Sequence, residues 1–301
     1  MKNIPAYEAS ATEHFDAIAA AKGRVRSRRD ANGEPIDRGV VLRGIRDYVL
    51  RRYREYGDKK PHLERMPSEP TAVTDEQREA LLHCYDAPTT ALGSLKGKIQ
   101  AAQADLALCP YCGIGEPDTW DHYLSKTAFP ELSVHAPNLV PCCGTCNRKK
   151  GDTLIEGGER TILHFYYDTV EQEVALLRAE VSMNAGRPTV RFAIALDTGV
   201  SAEYLRLFRH HFRRLDLLER YRRLARLEIG AIVDEVKVWA RAQRAADTVR
   251  IARHLARRAE HYEESQGTNS WKAALWGAMA RAHDVLQTLA QVAASGARVG
   301  T

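Results

Sequence analysis

Residues 109–152 read CPYCGIGEPDTWDHYLSKTAFPELSVHAPNLVPCCGTCNRKKGD, and this stretch decides how the rest of the chain is understood. It holds two Cys-x-x-Cys pairs, Cys109 with Cys112 and Cys143 with Cys146. Thiolates two residues apart can both turn toward one ion, and a second pair completes the tetrahedral sulfur set that zinc prefers at structural sites. A lone Cys-x-x-Cys is also the pattern of a redox dithiol, but two pairs flanking a loop of this size fit zinc better. Cys142 offers another register, Cys142-x-x-x-Cys146; the two-residue spacing of the first pair favours Cys143 and leaves Cys142 as a buried thiol. Cys84 stands alone on a helical pattern and reads as a small buried hydrophobe.

An ion held by four sulfurs has no open coordination position, so chemistry here must come from other polar residues. Asp121, His122 and Asn147 lie within the same stretch. A carboxylate and an amide oxygen are hard donors suited to Mg²⁺ or Mn²⁺, ions that keep positions for phosphate oxygens and water. A histidine beside them suits removal of a proton from that water, because its ordinary pKa lies near neutrality.

At these residues the chain resembles the HNH endonuclease family, also called ββα-metal or His-Me finger nucleases. The likeness is carried by Asp121-His122, Asn138-Leu139, the Cys-x-x-Cys-Asn of Cys143 to Asn147, and the tail Lys150-Gly151-Asp152. Outside 109–152 there is only a loose similarity to accessory nucleases of bacterial antiphage systems, such as the HNH subunits of Septu-type and retron-linked systems. The resemblance implies a ββα finger in which Asp121 ends the first strand and binds the catalytic Mg²⁺ or Mn²⁺, and His122 is the general base. It implies that Asn138, on the loop between the second strand and the helix, pins that loop and orients the base. Asn147 stands on the helix where a histidine is usual and completes the metal site, which shifts the preference further toward Mg²⁺. The resemblance also selects Cys143 over Cys142 for the structural zinc. It makes DNA the expected substrate, with RNA not excluded.

Other candidates have plainer readings. Lys149 and Lys150 follow the helix and are candidates for meeting a phosphate backbone, although lysines at a helix end are usually just solvated. Glu131 and His135 read as polar loop residues, and His164, among aromatics in Leu163-His164-Phe165-Tyr166-Tyr167-Asp168, reads as a packing histidine. The chain's net charge of +5 is unevenly placed: Lys22 to Lys60 carries 13 Lys/Arg against 6 Asp/Glu, and Ser201 to Arg226 carries 8 against 3. Beside a nuclease finger, arginines from these runs become candidate clamps on phosphates, namely Arg43, Arg46 and Arg51, and Arg209, Arg213 and Arg220.

With 301 residues, 44% of them hydrophobic, the chain can bury a core. No apolar run approaches a membrane span and the start lacks a secretory core, so a cytoplasmic protein with no membrane partner is expected. Before the finger, Val41, Ile45, Val49 and Tyr53 recur at helical spacing, 57–72 is broken by Pro and Gly, Thr74 with Gln77 opens a helix to about Tyr85, and a further helix runs from about Thr90 to Leu106. After it, 160–197 reads as extended. Val190, Phe192, Ile194 and Leu196 alternate there, and Asn184 to Pro188 turns the chain back from a strand at about 173–182. A helix capped by Ser201 follows, with a disturbance expected at Gly230, then helices at about 246–264 and from Ser270 to about Ala293, with Trp239, Trp271 and Trp276 as core anchors and a frayed tail from Ser295.

The expected architecture is α+β and mainly helical, with a zinc-stapled ββα-metal (HNH) finger embedded between helical segments and a short β-hairpin after it. The expected regions are 1–105 helical, 106–168 the finger, and 169–301 a short β segment followed by helices. The expected function is a metal-dependent HNH endonuclease hydrolysing DNA phosphodiesters. The alternatives are a non-catalytic zinc-stabilised nucleic-acid-binding module, or a nuclease subunit active only in a bacterial antiphage complex with a partner such as an ATPase or sensor. The chain has no Gly-x-x-x-x-Gly-Lys-Ser/Thr phosphate loop, so nucleotide control would come from such a partner.

Overall fold

In a computed structural model of the chain, residues 1–29, 33–169, 174–196, 199–243 and 247–297 are described. They form a mainly helical α+β protein whose sheets are small antiparallel pairs. The chain divides into two compact units, 3–169 and 1–2 with 170–301.

In the first unit, α1 (Ala11–Ala20) leads to the pair β1 (Arg24–Arg29) and β2 (Pro35–Asp37), then to α2 (Arg38–Gly44) and α3 (Arg46–Lys59). The single basic helix expected over 41–54 is therefore two, broken at Ile45, whose backbone departs from helical angles. Helix α4 (Asp75–Asp86) opens with the expected capping box, in which Thr74 Oγ1 accepts from Gln77 N and Gln77 Oε1 accepts from Thr74 N. Helix α5 (Thr90–Ala102) buries Leu92, Leu95 and Ile99 as the spacing predicts, but it stops short of Leu106. Gln103 leaves the helix there, and its side-chain amide donates to Pro5 O and the Tyr166 hydroxyl.

The finger region follows as β3 (Thr119–His122), β4 (Leu139–Cys142) and α6 (Gly144–Lys150), in the order strand, strand, helix. The strands are antiparallel, with Asp121 opposite Val140 and His122 opposite Leu139. The loop between them is wedged against α3, α4 and α5. Arg52 of α3 is fully buried beneath it and donates to Glu131 Oε1 at 2.8 Å, Glu55 Oε2 at 2.6 Å and Pro67 O at 2.6 Å. Tyr56 OH donates to Pro137 O at 3.0 Å, and Ser133 Oγ donates to Leu81 O of α4 at 2.8 Å. Glu131 and His135 are thus core residues, against the expectation of a polar loop. His135 stacks on Tyr53 with ring centroids 4.0 Å apart and meets Tyr56 edge-on at 5.0 Å.

A short pair, β5 (Ile155–Glu156) and β6 (Glu159–Arg160), comes next, and 161–169 folds in turns rather than as the extended chain expected there. His164 is a packing histidine: its Nδ1 accepts from Tyr166 N, so Nε2 carries the proton toward the Tyr56 hydroxyl, 3.1 Å away. Arg160 closes this segment with two bonds to Asp168, at 2.7 and 3.0 Å.

In the second unit, β7 (Leu177–Asn184) and β8 (Arg187–Ile194) form the expected hairpin. Ala185 and Gly186 both take positive φ, as the two-residue turns that suit strand twist require. Leu196 lies beyond the strand and is 81% exposed, so the alternating face ends at Ile194. The start of the expected strand at 173 and the end of the extended reading at 197 lie outside the described residues. Ser201 caps α7 (Ala202–Arg214) as expected, accepting from Tyr204 N at 3.1 Å. The break before α8 (Leu217–Gln243) falls at Asp216, whose φ is +53°, and not at Gly230, which sits inside α8. After α9 (Thr248–Gln266), the helix expected from Ser270 is two, α10 (Trp271–Arg281) and α11 (His283–Ala297), because Ala282 takes an extended conformation. Helix α11 reaches Ala297, and the rest of the expected frayed tail lies outside the described residues. Trp271 and Trp276 are buried anchors, and Trp239 is half-buried against the His254 ring. Asn269 ties hairpin to helices, accepting from Leu176 N and Leu177 N and donating to Val174 O. No helix among the described residues is long and apolar enough to cross a membrane.

Burial, assisted by the positive charge of Lys60, lowers the His135 pKa to about 3, far below the 6.5 ordinary for an unfolded chain. Below pH 6.5 the unfolded state takes up a proton that the folded state refuses, so this group's stability contribution is complete above pH 6.5 and is lost as pH falls toward 3. His135→Phe keeps the ring packing and removes the proton site. Its unfolding free energy should fall less steeply than wild type between pH 6 and 5, by about 1.4 kcal/mol per pH unit. Denaturant titrations at pH 7, 6 and 5 measure this, and parallel slopes would refute the assignment.

Candidate functional site

The two knuckles are built by backbone turns. Cys109 O accepts from Cys112 N at 3.2 Å and Gly113 N at 2.8 Å, and Cys109 N donates to Gly115 O at 2.7 Å. Gly113 has φ +61°, a conformation costly for any residue with a side chain. The second pair straddles the start of α6, where Asp118 Oδ1 accepts from Gly144 N at 2.7 Å and ties the helix to the segment before β3. The ligand atoms of Cys109, Cys112, Cys143 and Cys146 lie within 4.8 Å of one another, and all four residues are buried. This soft four-sulfur set can hold a metal ion and suits zinc. Cys142 stays out of it, as the spacing predicts: its Sγ lies 3.5 Å from Thr119 Oγ1, and burial pushes its thiol up to about 12. Cys84, also fully buried, donates to Ala80 O within α4.

Beside the cluster, β3 and α6 open onto a cavity of about 440 Å³ lined by Asp121, His122 and Asn147, together with Tyr85, Trp120, Lys126 and Asp152. Three of the expected site residues therefore share one cleft. His122 Nε2 lies 2.9 Å from Ser133 O, and a carbonyl only accepts, so Nε2 carries the proton and Nδ1 is the basic nitrogen. Burial lowers this imidazole's pKa to about 4, and Tyr85 meets the ring edge-on at 4.4 Å. Asn147, on the exposed half of α6, donates to Thr119 Oγ1 and Trp120 O, both at 3.3 Å, which leaves its amide oxygen as the donor atom for a cation.

Asp121 is 2% exposed, and both of its oxygens already have protein partners: Tyr111 OH donates to Oδ2 at 2.7 Å and Lys150 Nζ to Oδ1 at 2.9 Å. Lys150 also donates to His122 O at 2.8 Å and is fully buried. The reading of Lys150 as a backbone-gripping lysine is thereby corrected. It lies one helical turn beyond the buried Cys146, so the helix period turns it inward, whereas Lys149 faces out.

Asn138 requires a second correction. It ends the loop between the two strands, not one between the second strand and the helix, because β4 begins at Leu139. There it does pin the loop: Oδ1 accepts from Leu124 N at 2.8 Å, Nδ2 donates to Leu124 O and Leu132 O, and its own carbonyl accepts from Tyr123 N. Ser133, which holds His122, is the next residue after Leu132.

The candidate basic clamps are mostly occupied. Arg46 is bound bidentately to Asp16 at 2.7 and 2.9 Å, and Arg51 to Glu69 at 2.8 and 3.3 Å, while Arg43 is exposed. In the other unit Arg209 donates to Ala195 O and Arg220 to Leu215 O, while Arg213 is exposed. Four of the wall residues, Tyr85, Trp120, Lys126 and Asp152, have no site role in the sequence reading. Trp120 stands two places before His122 on β3, and strand alternation is the signal that puts them on one face. Asp152 lies in the tail of the motif, and its carboxylate accepts from Ser125 Oγ at 2.7 Å.

Among known proteins, Protein ea31 of Escherichia phage lambda is similar to this chain, 32% identical over 133 residues that cover 42% of the chain and 43% of that protein. The chain thus spans less than half the length of this relative. No protein-family model matches the chain, and no solved structure does.

Two outcomes follow from this geometry. Elemental analysis should find one tightly held metal per chain in wild type and in Cys142→Ser, and its loss in Cys143→Ser; the reverse pattern would show that the register is wrong. Lys150→Met should cost about 3–5 kcal/mol in a denaturant titration, because it strands the Asp121 carboxylate in the interior without its cation. A loss within a few tenths of wild type would mean that the pair is solvated.

Proposed function

We propose that this chain is a metal-dependent endonuclease of the HNH type that hydrolyses phosphodiester bonds in DNA, stapled by a structural zinc on Cys109, Cys112, Cys143 and Cys146. The observation that carries the reading is the shared cleft, which the His122 ring, anchored through Nε2 to Ser133 O, lines together with Asp121 and Asn147.

Asp121 and Asn147 are the residues that would hold Mg²⁺ or Mn²⁺. Each Asp121 oxygen accepts one charge-assisted or hydroxyl bond and retains capacity for a further partner, so the donor set fits a hard cation. Such an ion, when bound, supplies Lewis-acid stabilisation of the charge that builds on the phosphate. His122 takes a proton from the attacking water on Nδ1, and the Ser133 carbonyl stabilises the imidazolium that forms by accepting from Nε2. Asn138 keeps Ser133 in place by holding the loop at Leu124 and Leu132. Tyr111 and Lys150 fix the Asp121 carboxylate toward α6. Arg43 and Arg213, exposed on their helices, are the candidate contacts to phosphates outside the cleft, and Lys149 faces out from α6.

A second reading, a non-catalytic zinc-stabilised module that binds nucleic acid, draws on one observation: Lys150 already supplies a cation to Asp121. The two readings part on metal dependence. Purified protein incubated with plasmid, linear duplex, single-stranded DNA and RNA should cut when Mg²⁺ or Mn²⁺ is added and be silent without it. His122→Ala should lower the rate at least about 100-fold with bound zinc retained, since it removes a proton acceptor and no structural ligand. Asp121→Ala should instead raise the Mg²⁺ concentration needed for half-maximal rate. Absence of cleavage on every substrate would favour the binding module, and a wild-type rate in His122→Ala would remove the histidine from the chemistry.

A further inference from the structure

Two aromatic residues that line the cleft stand against lysines that the hydrolytic reading leaves unused. Lys96, on α5, is half-buried, and burial lowers its pKa. Among the described residues its ammonium meets no carboxylate. It lies 4.3 Å from the centroid of the Tyr85 ring and 5.7 Å from that of Trp120. Lys126 adds a second ammonium, 5.1 Å from the Tyr85 centroid and paired with Asp86. Tyr85 and Trp120 both line the cleft with His122.

A lysine that merely needs solvation does so in water. One partly withdrawn from water and set against aromatic faces keeps its charge through the rings while lacking a counter-anion, an arrangement that an incoming anion would complete. The position of Trp120 specifies that anion further. It shares a face of β3 with His122, two residues and about 7 Å away, so a chain whose phosphate reaches His122 passes the indole at its next unit. Aromatic rings interleaved with cations along one groove are the elements that grip single-stranded nucleic acid, because an unpaired base offers its face and a base inside a duplex does not.

We infer that Lys96, Tyr85 and Trp120 form the strand-binding subsite of the cleft, in which Lys96 holds a phosphate next to the scissile one and Trp120 stacks the adjoining base, so that the DNA strand enters unpaired. This rests on the phosphodiester reading of the same cleft.

Binding can be measured apart from catalysis. Full-length protein with no Mg²⁺ or Mn²⁺ added is titrated with fluorescein-labelled oligo-dT, oligo-U of equal length, and a duplex of equal length, over a range of salt. The DNA strand should bind more tightly than the duplex. Lys96→Gln should weaken strand binding about tenfold and reduce the slope of log affinity against log salt by about 0.7, with Lys96→Arg restoring both. Trp120→Leu should weaken it about tenfold with the salt slope unchanged, a split that a general loss of structure would not produce. Should Trp120→Leu not fold, Trp120→Phe keeps a smaller face and should lose less. Equal affinity for strand and duplex, or an unaltered slope in Lys96→Gln, would overturn the subsite, and tighter binding of oligo-U would overturn its assignment to DNA. Wild-type protein that grips the strand but never cuts it once Mg²⁺ or Mn²⁺ is supplied would sink the nuclease reading and leave the subsite standing. Cleavage by wild type, with both variants binding as tightly as it does, would sink the subsite alone.

Discussion

The convergence of four thiols on one point is the constraint from which the site is built. Cys109 and Cys112 precede β3, while Cys143 and Cys146 open α6, so bringing their sulfurs within 4.8 Å closes the chain on either side of the strand pair. Strands of four residues bury too little surface to stand alone, and a helix of seven residues is far below the length that is stable by itself in water. A metal bound at this point would contribute folding free energy to all three elements together.

The remaining stability of the region comes from the body of the unit, and it passes through the loop between β3 and β4. Arg52, Tyr56 and the Leu81 carbonyl each bond a different point of that loop, and Asn138 ties its two ends. Ser133 stands where these supports meet: its hydroxyl reaches α4 and its carbonyl receives the His122 ring. The orientation of the histidine thus depends on a helix more than forty residues earlier in the chain, which is why the finger cannot be understood from residues 109–152 alone.

On the opposite face of β3 the buried pair of Lys150 and Asp121 locks strand to helix. An ion pair removed from water stabilises only when its geometry and its additional hydrogen bonds offset desolvation, and here the Tyr111 hydroxyl and the His122 carbonyl supply those bonds. The same carboxylate borders the cleft, so rigidity and the candidate chemistry meet in one side chain.

What the sequence by itself determined is local. The capping box at Thr74, the turn within Asn184 to Pro188 and the Ser201 cap each depend on a few neighbouring residues whose geometry has few solutions, and the Cys-x-x-Cys spacing repeated at 109 and 143 points to the four-sulfur set. The grouping of Asp121, His122 and Asn147 was an expectation from the resemblance carried by residues 109–152 and not from spacing, because neighbours on a strand point to opposite faces. What only the tertiary structure decided is where long side chains end. Lys150, Arg46 and Arg51 look alike in sequence as basic residues on helices, yet one is buried on Asp121 and the other two are neutralised by Asp16 and Glu69. Likewise, helix breaks at Ile45, Asp216 and Ala282 and the approach of Lys96 to Tyr85 and Trp120 arise from packing between distant segments, for which no short-range pattern exists. A charge written in the sequence has a sign, and its partner is set by which elements the core brings together.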